Sequence, residues 1–355
     1  MSPRPSAYSQ KRPRAYLDWN ASAPLRAEAR SAALAALDLG GNPSSVHAEG
    51  RAARAMLERA RAQVAALVGC AAEEVVFASG ATEAAGILAQ LPEGVVEVEP
   101  GSHPCLLEQA RTDEAPGRVL AMTPANNETG MLTPIPAAAP GTRVLADVTQ
   151  LVGRAEFDFA ACGADFAILS GHKIGGPKGI GALIVRGASL DGAVLAPGGG
   201  QETRRRAGTE NLPGIAGFGA AAEAAAAERE AGAWDRVAIL RDRLEGRLES
   251  LPHAPEIVGR GAPRLPNTTL ILARGWRGET QAMQMDLAGY AVSSGSACAS
   301  GKTAPSTVLA ALGYSPEDAA CGLRVSIGPA TTEAEIDGFA DAWAEKHARA
   351  TARAA

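Results

Sequence analysis

A lysine that follows a buried apolar run and sits among small residues can act as a Schiff-base nucleophile toward an aldehyde cofactor. Ser170-Gly171-His172-Lys173, continued by Gly175-Gly176-Pro177-Lys178-Gly179, has that composition. The small neighbours leave room for the cofactor, and Ser170 and His172 can hydrogen-bond a phosphate. Taken alone, the segment reads equally well as a Gly-rich surface turn carrying a solvated lysine. Lysines are few in this chain, at positions Lys11, Lys173, Lys178, Lys302 and Lys346, which narrows any lysine-dependent chemistry.

Three further segments bear on that chemistry. Leu145-Ala146-Asp147 closes another apolar run, with Gln150 one turn on. A carboxylate there can pair with a protonated pyridine nitrogen, and Gln150 can reach a phenolic oxygen; elsewhere such an Asp is usually a turn former or helix cap. Ser79-Gly80-Ala81-Thr82-Glu83 follows Val75–Ala78 and can present backbone N–H groups and the Thr82 hydroxyl to a phosphate, or serve as an ordinary cap. In Ser293-Ser294-Gly295-Ser296-Ala297-Cys298-Ala299-Ser300-Gly301 a single cysteine lies among small polar residues rather than core neighbours. Such a thiol suits nucleophilic attack, although an incidental loop cysteine has the same surroundings.

These groups need a scaffold. The 355 residues, 46% hydrophobic and 21% charged, exceed one typical domain and suggest two. A net charge of -5 argues against a nucleic-acid surface. No apolar run reaches the length of a membrane span and no signal-peptide core follows the start, so a cytoplasmic location is expected. Five scattered cysteines without a CxxC pair point to reduced thiols, mostly buried, rather than disulfides or a zinc knuckle. Residues 1–14 read as a solvated tail.

The stretch 45–69 places Leu57, Ala60, Val64, Leu67 and Val68 on one helical face and ends at Gly69. The short runs Val75–Phe77, Val144–Ala146, Phe166–Leu169 and Ala182–Val185 suit strands buried on both faces of a mainly parallel α/β sheet. Residues 220–251 read as one long Ala-rich helix leading into a second unit. There Thr268–Leu272 and Leu323–Ile327 read as strands, and Thr332-Glu333-Ala334-Glu335 as a capping box opening a final helix.

Taken together and in order, these motifs resemble the cysteine desulfurases of the NifS/IscS type, class V enzymes of fold type I that use pyridoxal 5′-phosphate (PLP). The resemblance runs from Tyr16-Leu17-Asp18 to the final helix. Its landmarks include Asn20-Ala21-Ser22-Ala23-Pro24, Gly41-Asn42-Pro43-Ser44-Ser45, Asn126-Asn127-Glu128-Thr129-Gly130, Gly198-Gly199-Gly200-Gln201-Glu202 and Arg206-Ala207-Gly208-Thr209. It implies a large, mainly parallel sheet domain over 16–225 and a smaller α+β domain over 226–355. The N-terminal segment 1–25 is expected to pack with the smaller domain, which carries the cysteine loop.

The resemblance also implies roles. Lys173 would hold PLP and move protons, Asp147 would face its ring nitrogen, and His103 would stack on the ring. Gln150 and Asn127 would lie near the phenolic oxygen or substrate. Ala81, Thr82, Ser170, Gly171 and His172 would surround the phosphate, and Thr209 would reach the phosphate of a partner subunit in a homodimer. Asn42 and Arg324 would hold the carboxylate of L-cysteine, and Cys298 would take its sulfur as a persulfide for an acceptor protein. No metal is implied. Another class V reaction, such as aminotransfer, cysteine lysis or selenocysteine lysis, is the alternative; a mobile thiol is not needed for transamination. Two departures stand out: the chain between His103 and Asn126 is shorter than usual, and the long tail after about Ala348 that helps dock an iron–sulfur scaffold in relatives is missing. The pathway served stays open between iron–sulfur cluster assembly, tRNA thiolation and cofactor sulfuration.

Overall fold

Strands that are apolar on both faces need cover on both faces, and the main sheet receives it. In the computed structural model, which describes residues 14–188, 190–295 and 305–354, seven strands lie side by side. Their spatial order is Val75–Ala78, Gly181–Val185, Phe166–Ser170, Thr142–Asp147, Arg118–Met122, Val95–Val98 and Arg111–Thr112. Gly181–Val185 and the edge strand Arg111–Thr112 run against the other five. The mainly parallel α/β sheet expected from the Val- and Ile-rich runs is therefore present. Alternate residues serve opposite faces. Phe77, Val144, Ala146, Ala167, Leu169 and Ile184 pack with Leu57, Val64 and Phe218 of helices Ala48–Val68 and Leu212–Glu230. Val76, Leu145, Phe166, Ile168, Leu183 and Val185 pack with Ile87, Leu88 and Leu106 on the other side.

Helix Ala48–Val68 stops where expected: Gly69 takes φ +70° and its N–H returns to the Ala65 carbonyl. The single helix expected over 220–251 is instead two, Leu212–Glu230 and Ala233–Glu249. Gly232, at φ +72°, breaks the run; its left-handed backbone ends one helix and re-aims the next. The short segment after His103 forms one turn, Pro104–Leu107, and the antiparallel edge strand. Arg111 fixes it by donating to the carbonyls of Leu88, Leu91 and Glu93.

A second, antiparallel sheet has the order Ser293–Ser294, Gly322–Ser326, Thr268–Leu272 and Glu256–Ile257. Its apolar face meets Trp234, Leu240 and Leu244 of helix Ala233–Glu249, and Ile336, Phe339 and Trp343 of helix Glu333–Ala354. That last helix opens on the expected capping box: Glu335 Oε2 accepts from the Thr332 N–H at 2.8 Å, and Thr332 Oγ1 accepts from the Glu335 N–H at 3.3 Å. The N-terminal segment joins the two sheets. Ala15–Tyr16 pairs in parallel with Tyr290–Ala291, and Asp18 bridges Ser326. Five residues later the Ala23 N–H donates to His172 O at 3.0 Å, beside the main sheet. Among the described residues, no helix is long and apolar enough to cross a membrane.

The close passage of strands below the lysine turn is testable at Gly181. A Cβ there would lie 2.4 Å from Leu169 O and 2.7 Å from Gly80 Cα, both backbone atoms that cannot step aside. Gly181→Ala is expected to cost about 1–3 kcal/mol through overpacking. Gly246→Ala, in open space within helix Ala233–Glu249, should instead stabilise by roughly 0.5–1 kcal/mol. Thermal unfolding of the cofactor-free proteins checks both, and equal midpoints for the two variants would contradict this packing.

Candidate active site

Five strands running the same way deliver their C-terminal ends to one edge of the sheet, where ligands of open α/β sheets bind. Asp147 ends Thr142–Asp147, and the turn Gly171–Lys173 follows Phe166–Ser170. Ala81 and Thr82 follow Val75–Ala78, His103 follows Val95–Val98, and Thr123 and Asn127 follow Arg118–Met122. Together with Asn20, Cys105, Thr149, Gln150, Ser170 and His172 they line a cavity of about 300 Å³, which Ser293 and Arg324 complete from the second sheet. Eight separate stretches of the chain thus meet at one space, five of them placed there by the direction of the main-sheet strands.

Lys173 Nζ donates to the carbonyls of Asn20 at 2.6 Å and Ala21 at 2.9 Å. Those carbonyls come from the N-terminal segment, so the lysine is steered by a distant part of the chain. Asp147 is buried, and Oδ1 accepts from the Thr149 N–H at 3.0 Å. Burial pushes its carboxyl up, against the pull of Thr149, His103 and Lys173. His103 caps its turn: Nδ1 accepts from the Cys105 N–H at 3.2 Å, which places the proton of the neutral ring on Nε2. Burial holds His103 below its ordinary value; Lys173 adds to this and Asp147 opposes it. Cys105 also faces the cavity, but burial and Asp147 push its thiol up to about 12, so it stays protonated.

At the other end of the cavity Ser170 Oγ accepts from the Ala81 N–H at 2.8 Å, and His172 Nδ1 lies 3.2 Å from Ser22 Oγ. Gly171 does not line the space. It packs under the turn, where a Cβ would meet Phe218 at 2.9 Å and Ile180 at 3.1 Å. Arg324 Nη2 pairs with Asp18 Oδ1 at 2.8 Å and Nη1 donates to Asn127 O at 3.2 Å, which leaves Nε buried without a partner. Two of the expected residues lie elsewhere. Asn42 uses Oδ1 to accept from the Ser44 N–H at 2.9 Å in its own turn, away from the cavity lining. Thr209 is exposed and borders a separate cleft of about 220 Å³ with Glu202, Arg206, Gly208 and Asn211. Cys298 falls outside the described residues.

Matching this geometry, the sequence fits the aminotransferase class-V family over residues 15–108 and 104–339. The chain belongs to the class-V aminotransferase family. It is similar to the cysteine desulfurase of Frankia sp. (strain EuIK1), 39% identical over 92% of this chain and 89% of that protein. It is also similar to the cysteine desulfurase of Cereibacter sphaeroides, 38% identical over 91% and 93%. Among solved structures, a NifS-like protein from Rickettsia africae superposes with a TM-score of 0.84 at 28% identity, covering 94% of this chain and 99% of that one. This is a fold type I class-V enzyme, and PLP is its cofactor.

The cavity fits that cofactor on its own evidence. Besides Arg324 Nε, the hydroxyls of Thr123 and Thr149 are buried and unpartnered on its wall. A buried polar atom without a partner is costly, so three around one cavity mark a place for a polar ligand. A lysine, a buried carboxylate and a neutral histidine complement an aldehyde, a ring cation and a ring face respectively.

Sequence reasoning missed the residues beneath this surface. Asn20, quoted only as part of a landmark, and Arg154, not singled out at all, hold the others in place. Buried Arg154 donates to Asn20 Oδ1 at 2.7 Å, to Gln150 Oε1, and to Lys173 O at 3.1 Å. Burial and the nearby Arg324 pull its guanidinium down to about 9, still cationic at neutral pH. The i, i+4 spacing of Gln150 and Arg154 was the available signal.

The electrostatics predict an acid sensitivity of the cofactor-free protein. Burial, then Lys173, Lys178 and Arg154, hold folded His172 at about 4, against 6.5 when free. As pH falls below 6.5 the unfolded chain takes up a proton that the folded chain refuses until about 4, so stability is lost across that window. Urea midpoints at pH 7 and pH 5 should differ less in His172→Asn than in wild type. Identical pH slopes would sink the assignment.

Proposed function

We propose that this class-V enzyme is a cysteine desulfurase: L-cysteine and the Cys298 thiol react to give L-alanine and a Cys298 persulfide. The observation that carries the reading is the single cavity holding Lys173, Asp147 and His103 beneath the unpartnered Nε of Arg324. PLP, when bound, supplies an aldehyde for an amine and a ring that accepts the negative charge developing at the substrate Cα.

The chain's own groups account for the rest. Lys173, directed by the Asn20 and Ala21 carbonyls, holds the cofactor and moves the Cα proton. Asp147 stays close to the ring nitrogen because the Thr149 N–H fixes its carboxylate. Gln150, tied to Asn20 O at 3.0 Å, serves the phenolic oxygen together with Asn127. Ala81, Thr82, Ser170 and His172 border the phosphate end. His103 can carry its proton on Nε2, with its charge suppressed by burial. Arg324 meets the substrate carboxylate through its planar guanidinium, whose orientation Asp18 sets. The substrate C–S bond breaks, its sulfur joins the Cys298 sulfur, and the substrate carbon gains a proton in its place.

The exposed position of Thr209, beside a cleft of its own, supports the reading that it serves the partner's phosphate in a homodimer. The seven-stranded and four-stranded sheets, each with its own apolar core, support a large domain over 16–225 and a small one over 226–355. A cytoplasmic home and an acceptor protein for the sulfur complete the proposal.

Two substitutions test it. Lys173→Ala should abolish the visible absorbance that borohydride reduction fixes to the protein, whereas Lys178→Ala, beyond Pro177, should retain it. Retention of a borohydride-fixed chromophore in Lys173→Ala would remove the lysine assignment. In Cys298→Ser the cofactor and L-cysteine should still bind while alanine formation collapses. A serine hydroxyl is not appreciably ionised at neutral pH, whereas a free thiol is already a few per cent thiolate. Wild-type alanine formation by Cys298→Ser, measured in a single turnover, would remove Cys298 as the sulfur acceptor, whereas pyruvate or a thiol-bearing keto acid in place of alanine would replace this reading with a lyase or aminotransferase.

A further inference from the structure

In the sequence Cys298 falls between Gly295 and Ser306, and in space those two residues meet at one carboxylate. Ser306 Oγ donates to Glu128 Oε2 at 2.5 Å. A side-chain carbon on Gly295 would lie 2.8 Å from the same Oε2 and 3.4 Å from Ser306 Cβ. One flank of the thiol-bearing stretch is thus bonded to this oxygen and the other passes against it, where a side chain would crowd the carboxylate.

Glu128 is itself held hard. Asn126 Oδ1 accepts from the N–H groups of Glu128 at 2.9 Å and Thr129 at 3.0 Å, which locks the turn. The preceding carbonyl, Asn127 O, accepts from Asn20 Nδ2 at 3.0 Å and from Arg324 Nη1. The same turn therefore carries a wall of the cofactor cavity and the anchor of the cysteine stretch. Ser306 is fixed from its other side, since its Oγ also accepts from the Leu309 N–H at 3.0 Å and caps helix Thr307–Ala311. The Gly295 N–H is used by Gly322 O at 3.2 Å, so this flank is tied to the second sheet as well. Burial pushes the Glu128 carboxyl up to about 7, against Ser306 and Arg324. A buried carboxylate is costly where an apolar side chain would pack, so its retention here points to a geometric task.

We propose that Glu128 is a positioning residue for the Cys298 nucleophile, holding Ser306 by a hydrogen bond and lying against Gly295, the two residues that flank its stretch of chain. The inference rests on the desulfurase reading above. It acts on the approach of the thiol and not on the binding of cofactor or substrate. Misplacement of a reacting group by about 1 Å can cost on the order of 100-fold in rate, so loss of the anchor should appear in the sulfur-transfer step.

The test uses PLP-loaded holoenzyme. Glu128→Ala, Glu128→Gln and Ser306→Ala are compared with wild type for cofactor occupancy, the L-cysteine concentration giving half-maximal rate, and alanine formed in the first turnover. Mass spectrometry after alkylation locates the added sulfur. Occupancy and half-saturation should stay within about two-fold, while the first-turnover rate falls roughly 10- to 100-fold in Glu128→Ala and Ser306→Ala. Glu128→Gln should recover part of that loss, because its amide oxygen still accepts from Ser306. Wild-type first-turnover rates in Glu128→Ala and Ser306→Ala, with sulfur on Cys298, would overturn the inference alone. So would a parallel loss of occupancy and half-saturation in Glu128→Ala and Glu128→Gln, which would assign Glu128 to the Asn127 and Arg324 side of the cavity. Should Glu128→Ala fail to fold, Ser306→Ala decides by the same criteria. Sulfur found on another cysteine of the wild-type protein would overturn the desulfurase reading, and this inference with it.

Discussion

One buried asparagine organises the site. Asn20 has one N–H, two amide protons and two oxygens that can each accept twice. Its N–H donates to Ser326 Oγ at 3.0 Å, and Nδ2 donates to Asn127 O at 3.0 Å and Thr268 Oγ1 at 2.9 Å. Its carbonyl accepts from Lys173 Nζ and Gln150 Nε2, and Oδ1 accepts from Arg154 and Asn267 Nδ2. Every donor and acceptor is used, and the partners come from the second sheet and from three turns that follow strands of the main sheet. The side chain cannot turn over, because an arginine can only donate and must face oxygen. Such a fully satisfied node allows few alternative arrangements, since each change would strand a buried polar group.

What Asn20 holds together is electrically incomplete. Asp147, Lys173, His103 and Arg324 are gathered around one buried space with Arg154 behind them, and burial drives Asp147 and His103 toward their neutral forms. The protein satisfies part of this from within: Asp18 accepts from Arg324, and backbone carbonyls accept from Lys173. It leaves Arg324 Nε and the hydroxyls of Thr123 and Thr149 unmet. A cofactor with a ring cation and a phosphate, and a substrate with a carboxylate, bring the complementary groups. The free protein is therefore strained electrostatically in the sense that the ligands relieve, and binding energy can be directed into orientation.

The sequence made the surface of this site legible and hid its supports. Strand ends announce themselves because Val- and Ile-rich runs stop at residues that cannot continue them, so Asp147, Lys173 and Thr82 stood at visible boundaries. The motif order then marked Ser170, His172, Gln150, Asn127 and Arg324, all of which meet in the cavity. Asn20 was not legible, since its partners lie more than a hundred residues away, and Arg154 showed only its spacing to Gln150, its other partners being distant Asn20 and the Lys173 carbonyl. Gly171 looked like a phosphate neighbour, yet its small size is required by Phe218 beneath it. The single long helix expected over 220–251 failed at Gly232, one residue within an Ala-rich tract whose helical propensity masks a left-handed break.

The two apolar cores explain why polar contacts carry this much. One gathers Leu57, Phe77 and Phe218 on the main sheet, and the other gathers Trp276, Phe339 and Trp343 on the second. Between them runs a polar seam of Asn20, Asn127, Arg154, Asn267, Thr268, Arg324 and Ser326, joined by direct hydrogen bonds. Apolar packing is non-directional and would tolerate a slide of one sheet over the other. Hydrogen bonds of 2.7–3.2 Å along the seam do not, because a shift of an ångström breaks several at once. Reactions that join a group from one sheet to a group from the other need that fixed spacing. The lysine turn belongs to the main sheet, while Arg324 and the Ser293–Ser294 strand that leads into the Cys298 stretch belong to the second. The seam therefore does in this chain what a continuous apolar core cannot: it sets the distance between two halves of one chemistry.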